Sequence, residues 1–113
     1  MDNSKDNAYY IEKLLDDMTF IVTHMKNVDY KAFSENEIFQ DSMMFRLIQV
    51  SENVRKLSDE YKEQHPVVPW TAIYGLRNRI VHDYGNVDLT IVFDTVKDDI
   101  PSLMEMMKKE LKR

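Results

Sequence analysis

Only two glycines and three prolines punctuate 113 residues, and apolar side chains return every three or four positions between them. This pairing confines the chain to helices joined by short connections. A spacing of three and four makes a single apolar stripe only on a 3.6-residue helix, and glycine and proline are the usual material of turns. In the first segment, residues 8–26, the stripe is Tyr10, Leu14, Met18, Ile21 and Met25, widened by Leu15 and Val22. Ser4 or Asp6 is placed to cap it. After a connector from Asn27 to Phe33, Ser34 and Glu37 have the spacing of a capping box. The helix they open is expected to run to about Lys62, with Ile38, Phe45, Leu47, Ile48, Val54, Leu57 and Tyr61 as apolar positions. Gln49, Asn53, Lys56 and Glu60 form a polar stripe beside them, read as solvated or dimer-facing.

Pro66 and Pro69 then make an extended linker, and Pro69 suits the first turn of a third helix over Trp70–Tyr84. Trp70, Ile73, Tyr74, Ile80 and Val81 are its buried candidates, and Gly85 stands where a left-handed residue would end it. Asp88 is placed to cap a fourth helix through Ile91, Val92, Val96, Ile100 and Leu103, which Pro101 should kink or split. The expected architecture is all-α: one domain over residues 1–113, folded as an up-and-down four-helix bundle with room for a short fifth helix after Pro101.

Composition removes several functional classes. With no cysteine, disulfides and thiolate metal sites are excluded, and the lack of crosslinks suits a reducing cytoplasm. The polar residues Met1–Asp6 hold no apolar core of a signal peptide, and no apolar run reaches the length of a membrane span. A net charge of −5 argues against a broad basic nucleic-acid surface. His24 and His65 have no ligand spacing with His82, so neither a zinc site nor another cofactor is expected. The eight methionines read as adaptable core and interface filler.

The chemistry gathers at the end of the third helix, in Gly75-Leu76-Arg77-Asn78-Arg79-Ile80-Val81-His82-Asp83-Tyr84-Gly85. Two arginines against one aspartate make this stretch locally basic in an acidic chain. A histidine titrates near about 6.5, so it moves protons at neutral pH, and a guanidinium offers paired donors to a phosphate. Those are the groups that metal-free phosphodiester cleavage requires. Helical geometry leaves the choice of cation open. Arg77 is roughly 140° from His82 around an ideal helix, whereas Asn78 is about 40° and Arg79 about 60° away.

The pattern Arg77-x-x-x-x-His82-x-Tyr84 resembles the signature of the HEPN superfamily, in its HepT-like branch. Its flanks agree: Leu57-Ser58, Pro66-x-x-Pro69-Trp70, Gly75-Leu76-Arg77-Asn78 and Val87-Asp88. The resemblance implies a homodimeric, metal-independent endoribonuclease toxin of a toxin–antitoxin pair, with motifs of two subunits facing one cleft. It makes Arg77 and His82 catalytic, with Asn78, Arg79 and Tyr84 in support. It also implies a nucleotidyltransferase antitoxin of the MNT type that transfers AMP to Tyr84. Ser51-Glu52-Asn53 departs from the Gly-Glu-Ala frequent in relatives, which is expected to bulk up the second helix near the cleft and alter substrate access. The alternative is a catalytically silent HEPN module that binds a nucleotidyltransferase without cutting RNA.

Overall fold

The computed structural model describes residues 6–112 apart from Asp83 and Val87; the side chains of Arg79, Val81, His82, Tyr84 and residues 110–112 also lie outside the description. Every regular element among the described residues is helical. In chain order they are α1 (Asn7–Met25), α2 (Tyr30–Ser34), α3 (Glu37–Arg55), α4 (Asp59–Glu63), α5 (Trp70–His82), a 3₁₀ turn (Tyr84–Asn86), α6 (Leu89–Asp94), a π-helical turn (Thr95–Asp99) and α7 (Ile100–Lys112).

Side-chain caps decide where these helices begin. Asp6 starts α1 by accepting from the Tyr9 amide, as expected of one of its two candidate caps; Ser4, the other, lies outside the described residues. The expected connector before α3 is largely a helix instead, because Asp29 caps α2 by accepting from the Ala32 amide. That short helix carries Phe33 into the core. The capping box at Ser34 and Glu37 does not form. Ser34 ends α2 with its hydroxyl on the Lys31 carbonyl, and Asn36 caps α3 by accepting from the Phe39 amide.

The long second helix of the sequence reading is two helices. The Lys56 and Leu57 amides turn back to the Asn53 and Val54 carbonyls, tightening the last turn of α3. Ser58 then caps α4 through the Tyr61 amide. Asn7 fixes this break from across the molecule, donating to Ser58 Oγ at 3.0 Å and accepting from the Ser58 amide at 2.9 Å. Gly85 sits within the 3₁₀ turn and has no positive φ, so α5 does not end in the left-handed conformation expected there.

Asp88 caps α6 as anticipated, accepting from the Thr90 amide. Pro101 acts through the turn before it. The helix widens to π over Thr95–Asp99, where the Ile100 amide reaches the Thr95 carbonyl five residues back. A proline ring crowds the carbonyl four residues earlier and offers no donor to it. Inserting one residue into the turn relieves both problems and lets helix continue as α7. Lys97, inside this turn, donates to the Met25 and Val28 carbonyls at 3.0 and 2.8 Å, tying down the end of α1.

Helix α3 packs against α1 and α5, and α1 also packs against α7. Leu14, Met18 and Ile21 of α1 meet Met43, Leu47, Val50 and Val54 of α3, with Val96, Ile100 and Met107 closing the core. Ile38 and Phe45, expected inside, are 84% and 56% exposed. The buried stripe of α3 runs through positions 43, 47, 50 and 54, and position 45 is about 200° around the helix from 43. Tyr74, another buried candidate, is 39% exposed. Trp70 packs against the core, as expected, and its indole N–H is shared between the Lys62 and His65 carbonyls. Asp17 is buried in α1 beside Arg46, at 2.8 Å, and that guanidinium lies 3.8 Å from the centre of the Phe20 ring.

Leu47→Ala removes a side chain with no exposed surface, and should cost about 2–5 kcal/mol of unfolding free energy. Val67→Ala, at a position 77% exposed, should change it by no more than about 0.5 kcal/mol. Urea denaturation of the two variants beside the unaltered chain checks both values.

Candidate functional site

Helix α5 is seated on the core by Ile73 and Ile80, both buried, which turns the Tyr74 and Asn78 row outward. At its middle Ser51 of α3, fully buried, donates its hydroxyl to the Tyr74 carbonyl at 3.1 Å. This bond satisfies a polar group that would otherwise be costly inside the protein. It also marks the place where α3 and α5 lie against one another.

Arg77 is half-exposed and tethered at both ends of its fork. Its Nε donates to Glu52 Oε2 at 2.9 Å, and its Nη1 to Asn78 Oδ1 at 3.5 Å. The Arg77 and Glu52 side chains are 41% and 36% exposed, so solvent screens the pair and it adds little to stability. Its effect is directional. A guanidinium has five donors; the 2.9 Å bond to Glu52 orients it, with the longer contact to Asn78 alongside, and donors are left for an anion.

Glu52 was named in the sequence only as part of Ser51-Glu52-Asn53, and its pairing with Arg77 was not foreseen. It comes from a different helix, and no periodicity links it to Arg77; its place next to the polar row of Gln49 and Asn53 was the faint signal. Asn78 is exposed beside Arg77. His82 is the last residue of α5, and Tyr84 opens the 3₁₀ turn that follows. The side chains of Arg79, His82 and Tyr84 lie outside the described residues.

The effect foreseen for Ser51 and Asn53 is corrected. Both are buried, Ser51 on the Tyr74 carbonyl and Asn53 donating to the Gln49 carbonyl at 3.0 Å. Their bulk points into the protein, so it does not narrow an outer cleft, and Asn53 leaves the solvated stripe expected of it. An apolar groove of about 380 Å³ runs between α5 and the α6–α7 segment, lined by Ala72, Leu76, Ile91, Leu103 and Met106 among others. Asp99 is its single titratable group among the described residues, so it offers no acid–base pair. On α5 it lies on the side away from Tyr74 and Asn78, about 160–200° around from Tyr74.

Among the described residues no three His, Cys, Asp or Glu side chains are grouped to hold a metal ion. His24 sits on the surface against the Phe20 carbonyl and ring, and His65 stacks on Tyr61. No helix of the described residues is long and apolar enough to cross a membrane.

This arrangement has relatives. The family model for HepT-like ribonucleases matches residues 10–110. A candidate RNase of Caldanaerobacter subterraneus subsp. tengcongensis is 28% identical over 104 residues, covering 92% of this chain and 93% of that protein. A candidate RNase of Methanocaldococcus jannaschii is 27% identical over 109 residues, covering 96% of each. A candidate ribonuclease HepT of Thermococcus cleftensis is 26% identical over 100 residues, covering 88% of this chain and 91% of that protein. No solved structure matches. With nearly its whole length matched, the chain belongs to the HepT-like ribonuclease family of the HEPN superfamily.

Proposed function

We propose that this protein is a metal-independent endoribonuclease toxin. The observation that carries the reading is the tethered Arg77 guanidinium, held by Glu52 and Asn78 on the helix that ends at His82. In the proposed reaction His82 takes the proton of a ribose 2′-hydroxyl, directly or by relay. The 2′-oxygen attacks the adjacent phosphorus, and the bond to the 5′-oxygen of the next nucleotide breaks. The products are a 2′,3′-cyclic phosphate and a 5′-hydroxyl, the leaving oxygen gaining a proton. Arg77 donates to the non-bridging oxygens as charge builds on them. Because the guanidinium is already oriented, little reorganisation is needed at that moment. Asn78 supports Arg77, Arg79 adds a second cation to the end of the helix, and Tyr84 stands just beyond it in the following turn.

The working form in this reading is an up-and-down helical bundle paired as a homodimer. On α3 the exposed Ile38 and Phe45 are seven residues apart, and Glu52 follows after seven more. Positions so spaced drift only about 20° per step, so an apolar strip leads toward the Arg77–Glu52 pair. Gly75, inside α5, has nothing within 4 Å of where a Cβ would stand. A mid-helix glycine costs about 0.5–1 kcal/mol against alanine, and no contact among the described residues requires it; a second copy approaching α5 would. Such pairing also answers the roughly 140° between Arg77 and His82 on one helix, by setting Arg77 of one copy beside the other copy's motif. The partner in this reading is an MNT-type nucleotidyltransferase antitoxin. AMP placed on Tyr84 would add bulk and negative charge beside the arginines, opposing RNA. The setting in this reading is the cytoplasm, which the cysteine-free sequence suits.

Purified protein incubated with total RNA in a chelator should cut it, leaving DNA intact, and end mapping should find cyclic phosphates. His82→Ala should lose about 10²- to 10⁴-fold in rate, and Arg77→Ala about 10²- to 10³-fold. A dead Arg79→Ala beside an active Arg77→Ala would reassign the cation, and RNA bound but uncut by the unaltered protein would favour the silent module. Produced alone in cells, the chain should arrest growth and His82→Ala should not.

Glu52→Gln separates position from attraction. Removing a carboxylate that neutralises Arg77 should tighten RNA binding, while loosening the guanidinium should slow the chemical step. The expected outcome is a lower KM together with a kcat reduced by up to about 10²-fold, the cost of misplacing a catalytic group by about an ångström. Steady-state kinetics on a short single-stranded RNA reads both constants.

A further inference from the structure

Beyond Arg77, the described surface gathers two more cations on one aromatic ring. The Arg55 guanidinium carbon lies 5.0 Å from the centre of the Tyr74 ring, and Lys62 Nζ lies 5.8 Å from it. Tyr74 is 39% exposed and one helical turn before Arg77 and Asn78 on α5. Asp59, Glu60 and Glu63 share α4 with Lys62, yet among the described residues neither Lys62 nor Arg55 forms an ion pair with a carboxylate.

The backbone beneath two of the three is held. The Ser51 hydroxyl holds the Tyr74 carbonyl, the Trp70 indole N–H holds the Lys62 carbonyl, and Arg55 closes α3. Each cation is attracted to the ring, and bringing both to one partly exposed side chain concentrates positive charge there. An anion seated between them balances that charge, and the ring offers a face or edge to a flat base.

We propose that Arg55, Lys62 and Tyr74 form an accessory RNA subsite, which holds the single-stranded backbone next to the linkage bound by Arg77. Arg55 and Lys62 contact phosphates, and Tyr74 aligns them and packs against an unstacked base. The inference rests on the ribonuclease reading for its ligand. It names the part of the substrate beyond the cleaved bond, and it supplies local positive charge in a chain of net charge −5. Single-stranded RNA is the class that fits, because only unpaired bases leave their faces open to an aromatic side chain.

The test uses a fluorescent oligouridylate of ten nucleotides and the His82→Ala protein, with binding followed by anisotropy across a salt series. Arg55→Gln with Lys62→Gln should lower affinity about 10-fold and flatten the log–log salt slope by about 1.4, two contacts at about 0.7 each. Tyr74→Ala should weaken binding about 10-fold, and Tyr74→Phe should retain most of it. Lys31→Gln, on α2 and paired with Glu35, serves as the control and should bind as the parent does. Arg55 is exposed at the end of α3, so the charge variants should fold, and thermal melts verify each protein. An unchanged slope and affinity in the double variant overturns the subsite. If that happens while the unaltered chain still cuts RNA, the subsite fails and the nuclease stands. If the double variant loses RNA while the unaltered chain cuts none, the subsite stands and the nuclease fails.

Discussion

The hydrogen bond from Ser51 to the Tyr74 carbonyl joins the helix that carries the motif to the helix that carries the core. A buried serine is tolerable only with an acceptor, and a small side chain is what lets two helices approach at that point. From this one contact the neighbours on α3 fall into register with α5. Glu52 meets Arg77 and, one turn later, Arg55 meets Tyr74. Position rises along α3 as it descends along α5, as it must where the two run in opposite directions. Without that seating, neither the guanidinium nor the cation-bearing ring would have a fixed partner.

The helical nature of the chain was legible because burial imposes a period. Leu14, Met18, Ile21 and Met25 line the core as their spacing requires, and Asp6 and Asp88 cap as their positions suggest. What was not legible were choices between nearby residues of similar chemistry. Asn36 rather than Ser34 caps α3, since two residues decide whether Tyr30–Ser34 forms a turn of its own. The break after Arg55 depends on Asn7, from the opposite end of the chain, gripping Ser58. Ile38 and Phe45 are apolar yet outside, because periodicity says which positions share a face but not which face the core selects. Pro101 marked a disturbance correctly, and the widened turn before it was one of several ways to absorb a missing donor.

The site was legible in its ingredients more than in its connections. Arg77, Asn78 and the helix ending at His82 could be read from local sequence, because a short motif on one helix needs no tertiary knowledge. Glu52 could not, since a salt bridge between helices depends on how they are docked. Tyr74 was misread as core for the same reason: its spacing fits a buried face, and the docking of α5 through Ile73 and Ile80 turns it outward.

An acidic protein that handles RNA must solve an electrostatic problem, and the Glu52–Arg77 pair suggests how. Glu52 cancels much of the long-range pull of Arg77, so RNA in general gains little by approaching. The carboxylate does not cancel the donors that remain on the guanidinium fork. In the proposed reaction those act at contact distance, and they strengthen as negative charge accumulates on a phosphate in the transition state. An interaction that is weak in the ground state and stronger at the barrier accelerates a reaction, whereas uniform attraction only tightens binding. On this argument the carboxylate beside the arginine trades affinity for orientation. In the proposed reaction ground-state binding then has to come from elsewhere on the surface, the role proposed above for the exposed ring of Tyr74 and its two cations one helical turn away.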